Sequence, residues 1–287
     1  MLSSAVGVLF DGFAYGMLLF LLSVGLSVTL GMMNFVNLAH CSFAMVGGYA
    51  TVTLVNRFGW PFLATLPMAF VAGAVISLAL ERTLFKRLYR ATDLDQCLLT
   101  IGIVFISIAA FAWFYTTEQQ SARPPEWLRA SIQVGNLNFA GYRLFLIVFG
   151  LATTFLLFFF IEKTRFGAQV RAAVDNQRMA RGLGLDVDRA FMLTFALGGG
   201  LAGLGGALAI EVVGLDPTFA LAYLVYVLIV VAVGGLGSIG GSFAAAVVLG
   251  ISDMAGKYYF PWLGAFLIYL VMVGLLMWRP LGLFGKR

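Results

Sequence analysis

Few side chains in this 287-residue sequence could do chemistry, and their spacing narrows what kind. His40 is the only histidine. Neither Cys41 nor Cys97 stands at ligand spacing from it or from a second cysteine pair, so a zinc-type site has no donor set; the two thiols read as small buried side chains. Glu211 and Asp253 are isolated carboxylates in apolar stretches, with no nucleophile, base and orienting acid grouped for catalysis. Gly250 to Tyr258 is the nearest thing to a phosphate-binding loop, but Gly256-Lys257 is followed by Tyr258 instead of Ser or Thr, and the glycine spacing is one residue too long. The expectation is a chain that is not an enzyme and binds no cofactor itself. Three polar stretches remain: Asn34, Asn37, His40 and Ser42 at the head of one segment, Gly237 and Ser238 in a glycine-rich break, and the basic run from Glu162 to Arg189. Hydrogen bonding, helix termination and surface docking are what such groups can offer.

The elements that hold them are membrane helices. With 61% hydrophobic residues and 11% charged, a water-soluble domain would have no surface to show the solvent. The mean hydropathy of +0.98 agrees. A helix of about 20 residues spans about 30 Å of hydrocarbon, so the apolar length allows roughly eight or nine crossings and no soluble catalytic domain. The net charge of +5 does not point to nucleic acid, because the basic residues are scattered among loops.

In chain order, Met1 to Leu30 has no Lys or Arg and an apolar run too long for a secretory signal, and reads as a retained first span. The segment Asn34 to Tyr49 is too polar at its head for a lipid-facing helix. Its Asn34, Asn37, His40 and Ser42 must face protein or water, as interhelical hydrogen bonds or as a pore lining. Further spans are expected from Pro61 to about Leu80, Leu98 to Tyr115, Tyr142 to Ile161, Ala190 to about Val213, Leu221 to Val233, Ser242 to Met254 and Trp262 to Trp278, with a basic patch at Glu81 to Arg90 and a polar loop at Thr116 to Gly141. Gly198/Ala202/Gly206 and Gly199/Gly203/Ala207 form two small-residue ladders, a signature of close helix packing in lipid. Five glycines in eight residues break the chain at Gly234 to Gly241. Such backbone is tolerated at membrane depth only where protein or water satisfies it.

The run Glu162 to Arg189 reads as one short helix held outside the membrane. Thr164 is a candidate N-cap, Ala172, Ala173 and Ala180 favour helix, and Gly182 with Gly184 marks a stop. Val170, Val174 and the Met179/Leu183 side give it an apolar stripe, and a helix this small needs something to pack on it. Either it is a solvated loop whose arginines set topology, or it docks on a partner.

Arg171-Ala172-Ala173 followed by Met179-Ala-Arg-Gly-Leu-Gly184 resembles the coupling loop of ABC importer permeases, in the form used by the branched-chain amino acid permease family. Asn37 to His40 resembles that family's Asn-x-Ala-His-Gly pattern near its first broken helix, with Cys41 where the glycine is usual. Gly234 to Gly241 matches its Gly-Gly-x-Gly-Ser-x-x-Gly string. The resemblance covers essentially the whole chain. It implies an all-α, polytopic permease domain over residues 1–287, of the second importer type, with broken or re-entrant segments. It further implies a second homologous permease subunit, two cytoplasmic ATPases that hold ATP and Mg, and a periplasmic or extracellular substrate-binding protein. Gly167, Arg171, Ala172, Ala173, Asn176, Arg178, Ala180 and Gly184 would couple to the ATPase, with Ala172 and Ala173 against it and Arg171 and Arg178 meeting acidic or carbonyl groups. Asn34, Asn37, His40, Ser42, Gly237 and Ser238 would belong to the translocation path. Amino acids are the implied cargo; urea, short amides and small organic acids are carried by related permeases, and an ion-coupled secondary transporter using Glu211 and Asp253 is the rival class.

A cytoplasmic coupling loop would place thirteen of the eighteen Lys and Arg residues on the same side, as the positive-inside rule requires. The N-terminus is then expected outside the cell membrane and the C-terminus in the cytoplasm. A polar, glycine-bearing break early in each half, at Asn37 to Gly48 and at Gly234 to Gly241, points toward a central path.

Overall fold

The computed structural model describes residues 2–33, 35–89, 91–134 and 137–285. Asn34 of the expected path lies outside them, as do Arg90, Lys286 and Arg287 of the charge asymmetry. The chain is almost wholly helical: α1 (Leu2–Met33), α2 (His40–Asn56), α3 (Phe62–Leu80), a π-helical turn (Glu81–Phe85), α4 (Lys86–Leu88), α5 (Asp93–Tyr115), α6 (Glu126–Arg129), α7 (Gly141–Lys163), α8 (Arg165–Asp175), α9 (Gln177–Gly182), α10 (Val187–Val213), α11 (Phe219–Gly234), α12 (Ile239–Tyr259) and α13 (Gly264–Trp278). Among the described residues six helical stretches, in α1, α3–α4, α5, α7, α10 and α12, are long and apolar enough to cross a membrane; α11 and α13 are shorter apolar helices. The chain is a multi-pass membrane protein.

Helix α10 is the hub, and its small-residue ladders pack as such ladders do in lipid. A side-chain carbon on Gly198 would meet Gly25 of α1, one on Gly203 would meet Ala69 of α3, and one on Gly206 would lie 1.9 Å from the Ala44 carbonyl of α2. Backbones approach this closely only where no Cβ intervenes. Helix α12 runs antiparallel along α1 by the same means, Gly16 and Gly250 standing in mutual contact. Gly250 and Gly256 therefore lie inside a continuous helix and not in a phosphate-binding loop.

The helices divide their ends into two sets. One end carries the start of α1, the α2–α3 turn, the segment between α5 and α7, and the α12–α13 turn; the other carries α4, α8, α9, the α11–α12 turn and the residues after α13. The expected polar loop at 116–141 contains a structured element: β1 (Ser131–Val134) and β2 (Leu137–Ala140) pair antiparallel, with Ile132 opposite Phe139. The alternation of Ile132, Val134, Leu137 and Phe139 around Gly135-Asn136 is the sequence signal for that hairpin. Phe139 packs edge-on against Phe10 at 4.7 Å, fixing the hairpin to α1.

Candidate functional site

The α1–α2 connection turns back into the bundle. His40 Nε2 bonds the Leu22 carbonyl at 3.1 Å, and Leu22 lies about 16 Å along α1 from Met33 at 1.5 Å per residue. Residues 35–39 must therefore run back alongside α1 before α2 starts, a broken-helix arrangement. Backbone at that depth needs partners, and side chains of α5 supply them. Gln96 Oε1 accepts from Val36 N–H at 3.0 Å and Thr100 Oγ1 accepts from Leu38 N–H at 3.2 Å. Asn37 Oδ1 accepts from Ala39 N–H at 3.1 Å, while its Nδ2 has no partner. Ser42 bonds Ser107 at 2.9 Å, and Tyr49 stacks on Phe111 at 4.4 Å, so α5 grips α2 along its length. Phe35 is clamped by Phe85 at 5.3 Å and Phe195 at 6.2 Å. Asn37, His40 and Ser42 are all buried, and their bonds are within the segment or between helices.

Gln96 and Thr100, which hold this backbone, were not among the expected site residues. They stand four residues apart in an apolar helix, with Ser107 seven further on, so a polar stripe at helical spacing was the available signal.

Gly237 and Ser238 lie elsewhere. Gly235 and Gly237 take positive φ, +93° and +77°, to reverse the chain between α11 and α12, and Ser238 accepts from Gly241 N–H at 3.0 Å as the N-cap of α12. A Cβ on Gly31 would fall 1.9 Å from the Gly237 Cα, so this turn sits on the last turns of α1, about 13 Å along that helix from the level of His40. The two segments both contact α1 but do not meet. The residues after α13 fold onto the same turn: Leu283 N–H donates to Val233 O at 2.7 Å and Phe284 N–H to Gly234 O at 3.2 Å.

The basic run is an elbow of two helices, not the single helix expected. Thr164 caps α8 as anticipated, accepting from Gly167 N–H at 3.2 Å. Gly167 has no room for a side chain, since a Cβ there would lie 1.9 Å from the Ile161 carbonyl. Arg171 donates to that same carbonyl, closing the end of α7 with a cation where the helix dipole is negative. Asn176 is extended (φ −155°, ψ 94°) and ends α8; its Oδ1 accepts from Met179 N–H at 2.9 Å and starts α9. Gly184 takes φ +82° to turn into α10.

This break corrects the expected docking face. Ala173 and Ala180, at 1% and 3% exposure, point inward with Val187 and Phe191 and form a small core beneath the elbow. Ala173 thus packs on its own chain and is not free to lie against a partner. Ala172 and Arg178 are exposed, and so are Met179 at 64% and Leu183 at 77%. Val170 packs inward, so the anticipated apolar stripe is split between two sides by the bend at Asn176. Asp188, at the start of α10, accepts ion pairs from Lys86 at 3.2 Å and Arg181 at 2.7 Å, tying α4, α9 and α10 together. Among the described residues no group of three or more His, Cys, Asp or Glu could hold a metal ion.

A chain built this way has known relatives. The model of the family described as branched-chain amino acid transport system / permease component matches residues 8–276. The probable branched-chain amino acid transport permease protein LivH of Methanocaldococcus jannaschii is 28% identical, over 94% of this chain and 90% of its own length. The high-affinity branched-chain amino acid transport system permease protein LivH of Escherichia coli K12 is 24% identical, over 97% and 94%. The permease protein LivM of the same organism is 26% identical, over 93% of this chain and 68% of its own. No solved structure matches. With nearly its whole length matched and its helices arranged as membrane spans, the chain belongs to the family of permease components of branched-chain amino acid transport systems.

Proposed function

We propose that the chain is one permease subunit of an ATP-driven importer of branched-chain or other amino acids, forming half of the translocation path in the cell (inner) membrane. The observation that carries this reading is the elbow. Its helices are anchored inward through Ala173, Ala180 and Val170, and present Ala172, Arg178, Met179 and Leu183 outward beyond the spans. Exposed apolar side chains on a small, well-capped helix pair suit contact with a soluble partner. That partner is a cytoplasmic ATPase, one of two that hold ATP and Mg. The elbow end is then cytoplasmic, with the C-terminus beside it and the N-terminus outside. Likeness to both LivH and LivM suits a pore made with a second permease of the same kind. A soluble binding protein delivers cargo to the opposite face.

Asn37, His40, Ser42, Gly237 and Ser238 are assigned to the path because the re-entrant segment and the α11–α12 turn are where backbone leaves regular helix. Purified and reconstituted alone, the chain should show neither ATP hydrolysis nor concentrative uptake; assembled with its partners it should import amino acids. Ion-driven uptake by the chain alone would overturn the reading. Calorimetry on the binding protein identifies the cargo, and a sugar ligand would reject amino acids.

A further inference from the structure

Asp253 is 0% exposed in the half of α12 far from the elbow, about 9 Å from that helix's end. Its Oδ2 accepts from Lys257 Nζ at 2.6 Å, one turn further on, and its Oδ1 has no partner. A buried carboxylate with an empty oxygen is costly in a membrane span and calls for a reason. One aromatic ring is placed against this pair. The Lys257 ammonium lies 5.5 Å from the centroid of the Tyr15 ring in α1. Tyr223 and Tyr226 stand one turn apart on α11. Their rings are 5.8 Å apart, and Tyr269 of α13 is 6.4 Å beyond Tyr226. Tyr223 and Tyr226 are half-buried and Tyr269 is exposed, so the cluster reaches the surface of the chain.

A buried carboxylate whose bound ammonium sits over an aromatic ring is a receptor for a primary ammonium group. The chain already displays that use, because the group seated there is the ammonium of Lys257. Its side chain is 52% exposed and flexible, able to swing out while Asp253 stays fixed at 1% exposure. We infer that Asp253 and the Tyr15 ring bind the α-ammonium of the cargo, with Lys257 as an internal surrogate that occupies the site when cargo is absent. This rests on the amino-acid importer reading, under which the site lies toward the face where cargo arrives. The displaced Lys257 would stand beside the cargo's carboxylate.

Lys257 itself reports occupancy. The chain in nanodiscs is treated with an amine-acetylating reagent, and Lys257 modification is read by mass spectrometry as a ratio to that of exposed Lys163, which cancels the reagent consumed by added amines. Leucine and 3-methylbutylamine should raise its rate at least about fivefold by freeing the amine, and 4-methylpentanoate, which lacks an ammonium, should not. Asp253→Asn should be fast throughout and insensitive to either amine. No change in Lys257 modification with leucine or 3-methylbutylamine overturns the inference, and this arm uses only the unmutated chain, so a misfolded variant does not hide the answer. In the reconstituted importer, Asp253→Asn should lower leucine uptake about tenfold, equal to about 1.4 kcal/mol, while ATP hydrolysis persists. Unchanged uptake by the variant defeats the inference and leaves the importer reading standing; no amino-acid uptake by the wild-type complex defeats that reading instead.

Discussion

Helix α10 and the elbow leading into it are both rich in alanine and glycine, yet the small residues do different work in each. Within α10 the missing side chains are space: Gly198, Gly203 and Gly206 let three neighbouring helices come to backbone contact. In the elbow only Gly167 has that role. Ala173 and Ala180 fill a small core, and Ala172 lies outside it. The lesson is that composition marks where backbones can approach, while the bend at Asn176 decides which small residue faces inward.

That comparison can be broken most forcefully in α10. Gly206→Leu would drive a side chain into the Ala44 carbonyl, and should cost more than about 3 kcal/mol, seen as loss of folded protein on size-exclusion chromatography in detergent. Gly102→Leu in α5, where nothing lies within 4 Å, should leave the protein folded. Equal tolerance of both would show that the ladders do not hold the bundle.

The two elbow alanines provide the next largest contrast. Ala173→Glu would bury a charge and overpack the small core, and should lower thermal stability by about 1 to 3 kcal/mol or more. Ala172→Glu should leave stability within about 0.5 kcal/mol, and under the importer reading should abolish coupled transport in the assembled complex. Gln169→Ala, also exposed, serves as the surface control for both. If Ala172→Glu transports normally, the outward face is not a docking face.

Removing the cap between the elbow helices is a smaller perturbation. Asn176→Ala should cost about 1 kcal/mol, detected as faster amide exchange confined to residues 177–182, because it orphans the Met179 N–H. Asp188→Asn should do least: both its ion pairs are half-exposed, so the loss should stay below about 1 kcal/mol and fade as salt is raised. A large, salt-independent effect would mean that α4, α9 and α10 are held together by those charges more than by the core beneath.

Much of the molecule is legible in its sequence. Apolar run length marked the spans, since a helix must cross a fixed thickness of hydrocarbon and its sequence shows it. The small ladders announced close packing, and Thr164 announced a helix start, because both depend on residues adjacent in the helix. The rest depended on partners far apart in the chain. Val36 and Leu38 find Gln96 and Thr100 some sixty positions away. Gly234 accepts a bond from Phe284, and the Lys257 ammonium paired with Asp253 sits over Tyr15 of another helix. Local sequence determined which segments are helical and which polar residues could not face lipid. Only tertiary packing decided which partner satisfied each of them, because a buried hydrogen bond or a backbone contact is chosen among all surfaces brought together and not among neighbours along the chain.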